Sequence, residues 1–202
     1  MCAKATDPFA SLPETEKYSL FRMMPPQFVY HLGIYVQTCA HIEMFASALA
    51  TSLEIADVSS AEWMPRYAEN RKLNTNCLIG KLRKASQLPR ASGFSSDLAQ
   101  LCDWMHQFKN NRHTAVHGAF LGRPNGTLRV DFIQKSNRKD KAKLHRTEAE
   151  ITKSSVIEAL DDADRILRLL SDMLNSIEAG MFGVIIEIVM PHAFDVETGG
   201  WA

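Results

Sequence analysis

The chain has 202 residues, enough for one medium domain with a packed core. Apolar residues make up 46% and charged residues 23%, which excludes wholesale disorder. Lys and Arg number 23, as do Asp and Glu, so a strongly basic, histone-like nucleic-acid binder is also excluded. The balance is uneven along the chain. Residues 147–202 hold eleven acidic residues against three basic ones, a net of −8, which leaves +8 on residues 1–146. One part can face an anion while another is acidic, or both are solvated faces.

Residues 1–26 carry Pro8, Pro13, Pro25 and Pro26 and read as an irregular arm. The first residues contain no apolar run, so no signal peptide is expected. From Gln27 to about Ile55 apolar positions recur at helical spacing: Val29, Leu32, Val36, Ala40, Met44, Leu49 and Leu53. A long helix is predicted there. Ser59-Ser60 and Glu62-Trp63 open a second helical segment, which runs to about Gln87 before Leu88-Pro89 stops it. This segment is rich in bases: Arg66, Arg71, Lys72, Lys81, Arg83 and Lys84. They could line a path for phosphates or be plain solvated surface.

A third helix is expected from Asp97 to His117, capped by Ser95 or Ser96. Leu98, Leu101, Trp104, Met105, Phe108, Ala115 and Val116 give its apolar face, and Gly118 stands where a C′ glycine would end it. The period then changes. Residues 119–121 and 127–133 flank Asn125-Gly126, a strong hairpin signal. Residues 135–143 form a polar basic loop, and 144–151 can add a short strand. Ser155-x-x-Glu158 reads as a capping box for a last long helix, with Val156, Ile157, Leu160, Ala163, Leu167, Leu170, Leu174 and Ile177 on one face. The apolar stretch Met181–Met190 is about ten residues long, too short to span a bilayer. Residues 184–189 fit a strand or a further helical piece equally well. The fold class that follows is mainly α: an up-and-down bundle of about four or five helices with a small β-hairpin insert near 119–151. One domain covers 27–180, and 181–202 form a C-terminal apolar segment and tail.

Cys2, Cys39, Cys77 and Cys102 are scattered and form no CxxC pair. They read as reduced thiols in a cytoplasmic protein. Chemistry concentrates elsewhere. Lys109-Asn110-Asn111-Arg112-His113-Thr114-Ala115-Val116-His117-Gly118 crowds an Arg, two His and two Asn at the end of a helix. His113 and His117, four apart, share a face. Arg112 lies five before His117, about 140° round the helix, so the two converge only through its long side chain or across a two-fold interface. The helix dipole favours the protonated form of a terminal histidine, which suits general acid–base work. Arginine offers a planar fork for phosphate. An i,i+4 histidine pair can also hold a metal, but HExxH is absent and nothing nearby completes a ligand set, so no metal and no cofactor are expected. Glu43 lies within the apolar face of the first helix. A buried carboxylate needs a partner, and Arg112 or a histidine is the nearest guess.

Arg112-His113-x3-His117 followed by Gly118 resembles the R-polar-x3-H signature of HEPN domains. The helical surroundings, Glu43 on the first helix and the β segment after the motif fit the same pattern. The resemblance covers roughly residues 27–180. It implies metal-independent cleavage of RNA by the neighbouring 2′-hydroxyl, in a homodimer that joins two motifs in one cleft. It further implies a defence or toxin–antitoxin setting, with an antitoxin or regulatory partner protein. Arg112 and His117 become the catalytic pair and His113 an auxiliary. Asn111, Lys109 and Glu43 become substrate-binding candidates. RNA is the expected partner and a membrane is not. The alternative is a non-catalytic module of the same type that binds nucleotide, RNA or a partner protein. A helical protein with no site at all is the third reading.

Overall fold

Pro26 opens the first helix, where a missing N–H costs nothing and the fixed φ is already helical. That helix, α1 (Pro26–Glu54), is the element around which the others pack. The computed structural model describes residues 23–123, 127–135 and 144–177, with two short strands at 194–195 and 200–201. Among them the elements run α1, α2 (Trp63–Arg71), α3 (Thr75–Ala85), a 3-10 turn (Pro89–Ala91), α4 (Ser95–His117), β1 (Ala119–Gly122), β2 (Leu128–Lys135), β3 (Leu144–Ile151), α5 (Lys153–Ile177), β4 (Phe194–Asp195) and β5 (Gly200–Trp201). The architecture is thus mainly α, five helices with a three-stranded antiparallel sheet after the fourth. The residues expected at 124–126, 135–143 (from 136 on) and 184–189 lie outside the described residues, as does the arm up to Arg22.

The second half of α1 is buried on every side, from Phe45 through Leu53. Small residues allow this: Ala46, Ser47, Ala48 and Ala50 let neighbouring helices approach. Its polar groups are satisfied internally. Ser47 and Thr51 donate to the carbonyls four residues back, at 2.7 Å each. Asn70 of α2 donates to Thr51 Oγ1 at 2.8 Å, and the Trp63 indole donates to Ser52 Oγ at 3.2 Å. The deepest line of α1 is Phe28, Tyr35, Cys39, Ile42, Leu49 and Leu53. This corrects the predicted stripe: Ala40 is exposed, and Val29, Leu32 and Val36 are only partly buried. A helix that is apolar nearly all round does not announce its inner face by periodicity.

Three further boundaries differ from the sequence reading. The basic segment is two helices, because Asn74 caps a new one: its side chain accepts from the Cys77 N–H at 3.0 Å. Helix α4 begins at Ser95 after Phe94, so neither serine caps it by a side-chain hydrogen bond. The capping box of α5 sits three residues earlier than Ser155-x-x-Glu158. Thr152 N–H donates to Ser155 Oγ at 3.0 Å and Ser155 N–H to Thr152 Oγ1 at 3.1 Å, while Ser154 donates to Glu158. Ile157 and Val116, assigned to inner faces, are exposed, and Ile166 and Met173 are buried instead.

The sheet has the predicted hairpin and third strand. Ala119 pairs with Asp131 and Gly122 with Leu128; Leu128 pairs with Ile151 and Lys135 with Leu144. Its inner face builds a second core, in which Met24, Phe28 and Leu128 are joined by Phe120, Ile151 and Val156. Gly118 connects this sheet to α4. Its backbone is extended (φ −74°, ψ 142°), so it is not a left-handed C′ glycine. The need for glycine is one of space. A Cβ there would lie 2.6 Å from Val130 Cγ2 and would press on the Thr114 carbonyl oxygen. Gly118→Ala is therefore expected to cost about 1–3 kcal/mol by overpacking. Gly33→Ala, on an exposed part of α1 where a Cβ meets nothing within 4 Å, should instead stabilise by about 0.5–1 kcal/mol. Urea denaturation of the two variants checks the opposite signs.

Candidate functional site

The C-terminal half of α4 forms one wall of an open cleft of about 590 Å³. Lys109, Asn110, Arg112, His113, Thr114 and His117 line it from α4. Asn74, Thr75 and Asn76 line it from the start of α3, and Phe132 from β2. The sheet matters here because Phe132 meets the His113 ring edge-on, with centroids 5.1 Å apart. His113 and His117 lie 4.8 Å apart, also edge to face. Arg112 shares the cleft with both imidazoles, although its Cα points well away from His117 round the helix.

Glu43 explains where Arg112 goes. Its Oε2 accepts from Arg112 Nη2 at 2.9 Å, and its Oε1 accepts from Thr75 Oγ1 at 2.8 Å. One carboxylate thus ties together α1, α3 and α4 behind the cleft. Both charged side chains are about a quarter exposed, 26% for Arg112 and 23% for Glu43. Screening is weaker there than at the open surface, so the pair holds its geometry better than an exposed one. Arg112 Nε is buried with no hydrogen-bond partner among the described residues.

The cleft is electropositive by construction. It gathers Lys109 and Arg112, and the positive end of the α3 dipole faces it from Asn74–Asn76. Lys109 is held at the rim by Asn76, whose Oδ1 accepts at 3.0 Å. His113 gives up its proton more readily than an ordinary imidazole. Partial burial is the main cause, and the neighbouring His117 and Arg112 charges add to it. At neutral pH His113 is therefore a neutral acceptor. Such a set can bind a phosphate and move a proton beside it. Among the described residues, no third His, Cys, Asp or Glu joins the histidines to form a metal-holding group.

The predicted site residues divide clearly. Arg112, His113, His117 and Lys109 come together in the cleft. Glu43 stands behind Arg112. Asn111 does not join them: it is exposed and lines a separate, smaller cleft between α4 and α5. One residue along a helix turns about 100°, which sends neighbours in sequence to different faces. Asn110 and the Asn74-Thr75-Asn76 lip were not among the site residues expected from the sequence. A cap residue followed by polar groups ahead of an apolar repeat was the available signal. Of the bases between 66 and 84, Arg66 pairs with Glu54 and Glu69, Lys81 with Glu54, and Arg83 with Asp103. Those three are bound up in surface pairs. No helix among the described residues is long and apolar enough to cross a membrane. Compared with known protein families, curated proteins and solved structures, the chain matches none.

Two expectations follow. Glu43→Ala should lower stability by about 1–2 kcal/mol in urea denaturation, because it strands a half-buried guanidinium and the Thr75 hydroxyl. Glu43→Gln, which keeps an acceptor for Thr75, should recover part of that loss. In an NMR pH titration the His113 ring should change charge below the ordinary imidazole range. His117→Asn removes a like charge from beside it, so the His113 midpoint should then rise.

Proposed function

We propose that this chain is an endoribonuclease of the HEPN type that cuts RNA without a metal. The observation that supports it is the shared cleft: Arg112, His113 and His117, the three residues of the motif, line one electropositive cavity with Lys109 at its rim. Arg112, aimed by Glu43, binds and polarises the scissile phosphate. The ribose 2′-oxygen attacks phosphorus, and its proton passes to the His117 imidazole. The bond from phosphorus to the 5′-oxygen breaks, and that oxygen takes the proton back from the His117 imidazolium so formed. The products are a 2′,3′-cyclic phosphate and a free 5′-hydroxyl. His113, neutral at pH 7, orients the ribose hydroxyl and assists. Lys109 contacts a flanking phosphate. DNA, which lacks the 2′-hydroxyl, is spared.

In the same reading the working unit is a homodimer that joins two clefts. It acts in the cytoplasm, in a defence or toxin–antitoxin role, under the control of a partner protein. Growth should slow when the wild type is expressed alone.

The test is RNA cleavage with EDTA present. Wild type should leave cyclic-phosphate ends. His117→Ala should slow the reaction about 100-fold or more, and Arg112→Ala by a similar factor. Circular dichroism of each variant separates lost chemistry from lost fold. Cleavage that survives both substitutions would remove the assignment. RNA that binds to the wild type but stays intact would move the reading to a binding module.

A further inference from the structure

The residue that the motif cleft leaves out marks a second concavity. Asn111 lines a cleft of about 260 Å³ between α4 and α5, with Trp104, Gln107 and Phe108 from α4 and Asp162 and Arg165 from α5. This volume is below the range of about 300–1,000 Å³ usual for drug-sized ligands, and it suits a single ring system. Its chemistry is that of an edge reader beside a stacking platform. The Arg165 guanidinium lies over the Trp104 ring, 5.5 Å from its centroid, and 58% of the Arg165 side chain is exposed. Aromatic rings and guanidinium planes are the surfaces on which unpaired bases stack. Among the described residues, the side-chain amides of Gln107 and Asn111 make no hydrogen bond, although both line the cleft. Asp162 has only a long contact to Arg165, at 3.8 Å, with 59% of its side chain exposed. A pair of that kind contributes little and exchanges easily.

Two amides and one carboxylate thus offer unused pairing capacity against a flat platform. A carboxylate accepts from two adjacent N–H donors, and an amide N–H donates to a neighbouring carbonyl oxygen. The base that presents adjacent N–H donors beside a carbonyl is guanine. We infer that the cleft between α4 and α5 is a second binding site, for an unpaired guanine base, with Asp162 and Asn111 reading its edge and Arg165 stacking on its face. The base can come from a free nucleotide or from single-stranded RNA. The Tyr35 ring packs 6.0 Å from Phe108, and its buried hydroxyl lies beside Cys39 and within electrostatic reach of both Asp162 and Arg112. The site does not depend on the cleavage reading, since none of the residues that line it lies in the first cleft.

Isothermal titration calorimetry tests it, with guanosine and adenosine 5′-monophosphates and with short 2′-O-methyl RNAs that contain or lack guanine. Guanosine monophosphate should bind saturably and more tightly than the adenosine form. Asp162→Asn should weaken it about tenfold or more, and Asn111→Ala should weaken it as well. Both residues are exposed, so the variants should keep the fold. Arg112→Ala, in the other cleft, should leave the preference for guanosine over adenosine monophosphate unchanged. A guanine-dependent affinity of the RNA that falls in parallel identifies RNA as the source; affinity for the mononucleotide alone identifies the free nucleotide. Absence of saturable binding, equal affinity for both bases, or a guanine preference lost in Arg112→Ala but kept in Asp162→Asn would overturn the inference.

Discussion

A carboxylate placed inside a helical core must be answered, and much of the site follows from how Glu43 is answered. Its two oxygens take one hydrogen bond each from Thr75 and Arg112. Left unpaired, a half-buried charge would cost more than most single contacts return. Arg112 is thereby drawn in from α4 and Thr75 from α3, and the start of α3 is fixed against the end of α4. The cleft is the space that remains between those two helix ends. Its electrostatics follow from the same arrangement, because one helix contributes its positive end and the other its cationic side chains.

The central position of α1 makes this possible. Its buried half is dominated by small residues, so four other helices can reach it. The hydroxyls of Ser47, Ser52 and Thr51 are absorbed by carbonyls, by the Trp63 indole and by Asn70. These bonds anchor α2 to α1. The sheet plays a different part. It packs on the first turns of α1 and α5 through Phe28, Leu128 and Val156. Through Gly118 it closes directly on the end of α4, and Phe132 then walls the histidines. The site therefore draws on the sheet as well as on the helices.

Helix α4 shows how one element serves two surfaces. Lys109, Arg112 and His113 face α3 and the sheet, while Trp104, Gln107 and Asn111 face α5. Leu98, Leu101, Cys102, Met105 and Phe108 hold the helix down between them. Polar residues crowd its last turns because that end of the helix emerges from the core with open space on two sides.

The sequence by itself determined the long first helix, the hairpin and third strand, the last helix and the cluster of Arg112 with two histidines at a helix end. These depend on local rules: helical periodicity, an Asn-Gly pair in the sequence between alternating residues, and the i,i+4 spacing. It also flagged Glu43 as a charge that required a partner. It did not determine which face of α1 is buried, because an almost wholly apolar helix has no preferred side until neighbours are placed. Nor did it separate Asn111 from Arg112, or bring Asn74, Thr75 and Asn76 to the cleft. Those assignments belong to the tertiary structure. The side chains that meet there are more than thirty residues apart in the chain, and only the packing of α3 and α4 on α1 brings them within hydrogen-bond distance.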